Sequence, residues 1–131
     1  MHAQFHVSTS RRTQFVAITS NIAEVIKNNG WLDGVITIFV PHTTAGVTIN
    51  ENADPDVARD MERFSDELVP RNHRFRHSEG NSDSHIKASF YGSSVQVIIR
   101  NGSMWLGTWQ GIYFCEFDGP RERNVYVAFT Q

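Results

Sequence analysis

The sequence predicts an α+β fold, and three observations carry that prediction. Apolar residues recur at helical spacing in two places: Ile18, Ile22, Val25 and Ile26, then Val57, Met61, Phe64 and Leu68. Shorter runs elsewhere alternate apolar with polar residues, or are continuously β-branched and aromatic, which is strand patterning. Between two such runs lies Asn101-Gly102, a dipeptide that accepts the positive φ angles of a tight hairpin. At 131 residues the chain has the size of a single domain, 1–131, and can bury about two thirds of its unfolded surface.

The elements follow in order. Gln4 to Ser10 alternates, with Phe5 and Val7 on one face and His6 on the wet one, and reads as a half-buried strand. Arg11-Arg12 begins a turn. The first helix is expected to start at Ser20 or Asn21, with Glu24 closing a capping box, and to end at Asn28-Asn29-Gly30. Val35 to Val40 reads as a strand buried on both faces and stops at Pro41. Val47 and Ile49 alternate in the next strand, which ends at Glu51. Asp54-Pro55 is an N-cap followed by proline at the first helical position. That second helix ends before Pro70, with Asp56, Asp60, Glu62, Arg63, Asp66 and Glu67 mostly its wet face. Ser82 or Asp83 caps a short helix through Phe90. Val95–Ile99 and Met104–Leu106 flank the hairpin, Gly107 to Gly111 suggests a bulge, and Ile112 to Phe117 is a further strand. After a turn at Asp118-Gly119-Pro120-Arg121, Val125, Val127 and Phe129 alternate in the last strand.

Composition removes several function classes. The net charge of −2 offers no basic stripe for nucleic acid, and no apolar run is long enough to span a bilayer. Cys115 is the only cysteine, so no internal disulfide can form, and with no signal-peptide pattern at Met1–Phe5 the expected location is cytoplasmic.

Chemistry concentrates in two stretches. His42-Thr43-Thr44 sits at the end of a buried strand, where a rigid scaffold can hold polar groups in place. Arg76 to Lys87 packs His77, Glu79, Asn81, Ser82, Asp83, Ser84 and His85 around Gly80, and its helix start offers free N–H groups to anions. Either stretch also has a plain reading, as a turn or a solvated connection.

Five segments, taken together, resemble the YjbQ-like family of the secondary thiamine-phosphate synthase type. They are His42-Thr43-Thr44-Ala45 with Ile49-Asn50-Glu51; Asp54 with Asp60; Asn81 to Lys87; Gly107-Thr108-Trp109-Gln110; and Asp118-Gly119-Pro120-Arg121. The resemblance implies mainly antiparallel β-sheets packed with two or three α-helices, and a homotrimer. It also implies coupling of a pyrimidine diphosphate to a thiazole phosphate with release of diphosphate, as a native or a side activity.

His42, His77 and His85 are then expected to converge as ligands of a divalent metal, zinc or magnesium, although their spacing is unlike a compact metal motif. The alternative is a metal-free site in which the same rings bind phosphate or move protons. Thr43, Thr44, Asn81 and Ser82 are expected to donate to phosphate, Lys87 and Arg121 to neutralise it, and Trp109 to stack on a heteroaromatic ring. Glu51 and Asp83 are expected to orient a histidine or support the metal. The expected partner is a phosphorylated small molecule. Two further functions fit the same residues: a metal-dependent hydrolase, and a non-catalytic binding protein for a phosphorylated metabolite. Trp105, Trp109, Phe114 and Phe117 are read as aromatic surface for the trimer contact. Cys115, between aromatic neighbours on a strand, is read as inert.

Overall fold

A computed structural model describes all 131 residues. Strands β1 (His2–Ser8), β2 (Gln14–Ala17), β3 (Gly34–Phe39), β4 (Ala45–Glu51), β5 (Ser94–Arg100), β6 (Ser103–Met104), β7 (Gln110–Glu116) and β8 (Glu122–Thr130) form two sheets. Helices α1 (Thr19–Asn29), α2 (Pro55–Leu68) and α3 (Ser82–Tyr91) complete the chain. The larger sheet has the order β1-β8-β3-β5-β6 and the smaller β2-β7-β4, with every pair antiparallel. This is the expected α+β class. No helix is long and apolar enough to cross a membrane.

Strand alternation decides the layers. Ile36 and Ile38 of β3, Val97 and Ile99 of β5, and Val125, Val127 and Phe129 of β8 point one way. They meet Val47, Ile112 and Phe114 of the smaller sheet, and Ile22 and Ile26 of α1 close the same core. On the far face of the smaller sheet, Phe15, Tyr113, Cys115 and Phe117 pack with Ala88 and Tyr91 of the α3 segment and with Met61 of α2. The strand buried on both faces is therefore β7, the centre of the smaller sheet. The expectation that Val35 to Val40 is doubly buried is corrected. Its outer face is uncovered, and Phe39 stacks there on Tyr126 at 6.4 Å, both exposed.

The ends of the elements follow local chemistry, with three corrections; the first is that α3 starts after Asn81 with no side-chain cap, so neither Ser82 nor Asp83 caps it. Gly30 closes α1 at φ 65°, and Asn101 and Gly102 adopt φ 50° and 77° in the β5–β6 turn, as the sequence requires. Asp54 caps α2 by accepting from the Asp56 N–H at 2.9 Å. Helix α1, however, starts at Thr19 without a side-chain cap. Thr19 instead accepts from the Ile112 N–H at 2.9 Å and ties the helix to β7. Helix α2 is rotated from its expected orientation. Glu62 and Ser65 are buried while Phe64 and Leu68 are each 61% exposed. The turn is set by polar partners: Glu62 accepts the Phe15 N–H at 2.6 Å and pairs with Arg11, and Ser65 meets the Tyr91 hydroxyl at 2.7 Å.

Candidate functional site

Three loops meet at one end of the sheets. They are the β3–β4 connection carrying His42 to Thr44, the segment leading into α3, and the β7–β8 turn with the first residues of β8. Between them lies a cavity of about 490 Å³ with no hydrophobic residue in its wall. Its lining includes His42, Thr43, Thr44, His77, Glu79, Asn81, His85, Asp118, Arg121 and Arg123.

Two buried ion-pair networks hold this wall in place. In the first, Arg12 grips Asp83 with both terminal nitrogens, at 2.9 and 3.1 Å, and reaches Ser84 Oγ at 3.2 Å. Lys87, one turn further along α3, donates to Asp83 at 3.2 Å and to Asp66 of α2 at 2.7 Å. Burial raises the Asp83 pKa, and the hydrogen bonds and charges of Arg12 and Lys87 more than offset it, leaving the carboxyl below the usual carboxylate range. Ser84 Oγ donates to the Phe117 carbonyl, and Asn81 Nδ2 donates to Asp118 at 2.8 Å, so the first turn of α3 is fastened to the β7–β8 turn. In the second network the buried Arg123 pairs with the fully buried Glu116 and donates to Thr44 Oγ1 at 2.9 Å. Glu116 also accepts from Thr9 and from the Asp118 N–H, so both its carboxylate oxygens have partners, whereas the buried Asn81 Oδ1 in the first network has none.

His42 is fixed by a main-chain bond. The Asn124 N–H donates to its Nε2 at 2.9 Å. A nitrogen that accepts a hydrogen bond carries no proton, so the neutral ring holds its proton on Nδ1. Burial, and then the charge of Arg123, lower the pKa of this imidazole. His77 and His85 stand edge to face with ring centroids 5.5 Å apart, and His77 Nε2 lies 3.8 Å from Glu79. Arg121 donates to the Asp118 carbonyl at 2.8 Å and to its carboxylate at 3.0 Å. Its remaining terminal nitrogen, the Thr43 hydroxyl and the His85 ring nitrogens have no hydrogen-bond partner within the chain.

The expected site residues divide. His42, Thr43, Thr44, His77, Asn81, His85 and Arg121 line one cavity, although Thr44 is already engaged by Arg123. Ser82 lies behind the paired rings, in a groove with Phe75, Arg76 and Ile86. Lys87 and Asp83 are corrected: at 2% and 0% side-chain exposure they are partners of each other and are closed to a ligand in this cavity. Glu51 and Trp109 are not brought to the histidines. Glu51 lies at the opposite end of β4, six residues or roughly 20 Å from Ala45. There it pairs with Gln110, next to Trp109.

The three histidines share a cavity without forming a metal-holding group; no set of three or more His, Cys, Asp or Glu side chains in the chain is so arranged. His42 has a chemical reason. To ligate through Nδ1 it would need its proton on Nε2, facing the Asn124 N–H donor-to-donor. The residues present do not fit a three-histidine metal centre.

Sequence reasoning missed Arg12, Glu116, Asp118 and Arg123. One signal for Arg123 exists: it shares the inward register of Val125, Val127 and Phe129, where an unpaired charge would be costly.

The family described as UPF0047 protein YjbQ-like matches residues 3–131. A UPF0047 protein of Methanocaldococcus jannaschii is 52% identical over 95% of this chain and 90% of its own length. The YugU protein of Bacillus subtilis is 51% identical over 92% of each. Among solved structures, a YjbQ/UPF0047-family protein from Clostridium acetobutylicum is similar with a TM-score of 0.95 and 52% identity, covering 98% of this chain and 99% of that one.

Proposed function

The chain belongs to the UPF0047 YjbQ-like family, and from that premise we propose that its polar cavity binds the phosphate groups of a small metabolite and supports a transfer reaction there. The observation that carries this reading is the convergence of spare hydrogen-bond donors, from two separate loops, in a wall without hydrophobic residues. Thr43 offers a hydroxyl, Arg121 a free guanidinium nitrogen, and His42 its Nδ1–H. Prearranged donors of this kind stabilise charge that develops on a departing oxygen.

The reaction we infer is of the thiamine-phosphate synthase type. The thiazole nitrogen attacks the methylene carbon of a pyrimidine diphosphate, a carbon–nitrogen bond forms, and the carbon–oxygen bond breaks with its electron pair leaving on diphosphate. Nothing in this step requires a base. His42 suits it as a donor, since its Nε2 lone pair is committed to Asn124. His85 and Arg121 would share the negative charge of the leaving group.

We further propose that the chain works as a homotrimer whose cavity is completed by a neighbour. Glu51 and Trp109, at the far end of the smaller sheet, would then serve the site of an adjacent subunit. The exposed Phe39, Ile98 and Tyr126 on the larger sheet, with Trp105 beyond its edge, supply apolar surface for such a contact.

Turnover tests the reading. Purified protein given the pyrimidine diphosphate and the thiazole phosphate should release diphosphate in step with thiamine phosphate, and His85→Ala and Arg121→Ala should each lower the rate by at least about tenfold. Binding of both substrates with no coupling would favour a non-catalytic binding protein. Coupling unchanged in both variants would remove the cavity from the mechanism.

A further inference from the structure

Behind the polar cavity, at the end of β7, lies the fully buried carboxylate of Glu116. Each of its oxygens takes two donors. Oε1 accepts from Thr9 Oγ1 at 2.8 Å and from Arg123 Nε at 2.9 Å, and Oε2 accepts from Arg123 Nη2 and from the Asp118 N–H at 3.0 Å. Four donors fill the hydrogen-bonding capacity of a carboxylate, so Glu116 keeps no lone pair for a ligand or for a proton in transit.

From these bonds two routes run on to the donors of the cavity. The first passes through Arg123, whose guanidinium fixes the start of β8. The next N–H in that strand, from Asn124, holds His42 Nε2 at 2.9 Å. The second route reaches Arg121 twice. The Thr9 hydroxyl that donates to Glu116 accepts from the Arg121 N–H at 2.9 Å, and the Thr9 N–H donates to the Arg121 carbonyl at 2.9 Å. Asp118, its own N–H held by Glu116, receives the Arg121 side chain on its carbonyl and its carboxylate. Packing leaves no slack between the routes: a Cβ at Gly119 would lie 2.9 Å from both Glu116 Cγ and Thr9 Oγ1.

We propose that Glu116 is the positioning residue of the cavity, a single buried carboxylate that sets the His42 and Arg121 donors, on two different loops, as one unit. That these donors receive phosphate rests on the reading of the cavity given above; that Glu116 places them rests on the bonds alone.

Two variants of the full chain test this, read by imidazole ¹⁵N spectra and by calorimetry with inorganic diphosphate. Glu116→Gln sets an amide NH₂ among the four donors. It should move the His42 ring away from a pure Nδ1–H tautomer and weaken diphosphate binding about tenfold or more. Thr9→Val removes one hydroxyl with little change of shape and leaves both Arg123 bonds in place. It should keep the His42 resonances where they are and weaken diphosphate about threefold, with no further loss when Arg121 is already alanine. A Thr9 that only supported the fold would cost the same in both backgrounds. His42 resonances unchanged in Glu116→Gln, or an equal Thr9→Val loss with and without Arg121, overturns the positioning role. Should Glu116→Gln fold poorly, the Thr9 and Arg121 cycle decides. No diphosphate binding to the wild-type protein overturns the phosphate reading alone, and the His42 spectrum of Glu116→Gln then decides the positioning role.

Discussion

The Asn124 N–H and His42 Nε2 are joined at 2.9 Å, and this bond assigns the imidazole its chemistry. A ring whose Nε2 accepts from the main chain is an Nδ1–H donor when neutral. Burial, then Arg123, hold its pKa below the ordinary value of about 6.5.

Imidazole ¹⁵N spectra should therefore show His42 as the Nδ1–H tautomer near neutral pH, titrating below that ordinary value. The stability sign follows. Below about pH 6.5 the unfolded chain binds this proton more readily than the folded one, so His42 favours unfolding as pH falls toward its lowered folded value. In the variant His42→Gln the dependence of unfolding on pH just below about 6.5 should flatten. An Nε2–H tautomer, or titration at or above the ordinary value, contradicts the assignment.

Asp83 and Lys87 form the second prediction. Each loses a buried partner when the other is neutralised, which costs about 3–5 kcal/mol. Asp83→Asn and Lys87→Met should each destabilise by that amount in urea unfolding, and the double variant by less than the sum. The Asp83 carboxyl is held below its unfolded value of about 3.9, so its contribution is complete above that pH and lost as pH falls through the folded value. The wild-type protein should lose stability over that acid range, and Asp83→Asn should lose less. A cost below about 1 kcal/mol for both single variants would mean the network is as weak as a surface pair.

Cys115 should resist thiol reagents. It is fully buried, and burial, then the charge of Glu62, push its thiol well above the usual range. Labelling of the native protein should be slow and become complete only in denaturant, and Cys115→Ser should keep any activity. Rapid native labelling with loss of activity contradicts this.

Assembly gives the fourth prediction. Light scattering should return three times the chain mass of 14.9 kDa, and a monomer at micromolar concentration rejects the trimer. If the site is shared, mixing exchangeable subunits of His85→Ala and Trp109→Ala should recover activity that neither has alone. Absence of recovery places the working residues within one chain.

Much of this fold is legible in the sequence because its signals are local. Alternation marks Val125, Val127 and Phe129, Asp54-Pro55 marks the start of α2, and Asn101-Gly102 marks the hairpin. The facing of α2 is not legible, because Phe64 and Leu68 look like core until Phe15 and Tyr91 claim Glu62 and Ser65. The aromatic surface divides for a similar reason: Phe114 and Phe117 fill the two faces of the smaller sheet, whereas Trp105 and Trp109 are each 63% exposed. In the site, polar density located His42, His77 and His85. Nothing local distinguishes Asp83 and Lys87 from ligand-binding groups; Arg12, far earlier in the chain, decides it. Long-range pairing of charges is the part that residue type and spacing do not encode.

The account turns on whether the cavity walled by His42, His85 and Arg121 holds phosphate, and a titration of inorganic diphosphate followed through the imidazole resonances tests that most directly. The account predicts saturable shifts of the His42 and His85 signals, weakened about tenfold or more in Arg121→Ala, with the exposed His6 unmoved. Diphosphate that leaves both rings unperturbed at saturating concentration, or shifts His6 equally, contradicts it.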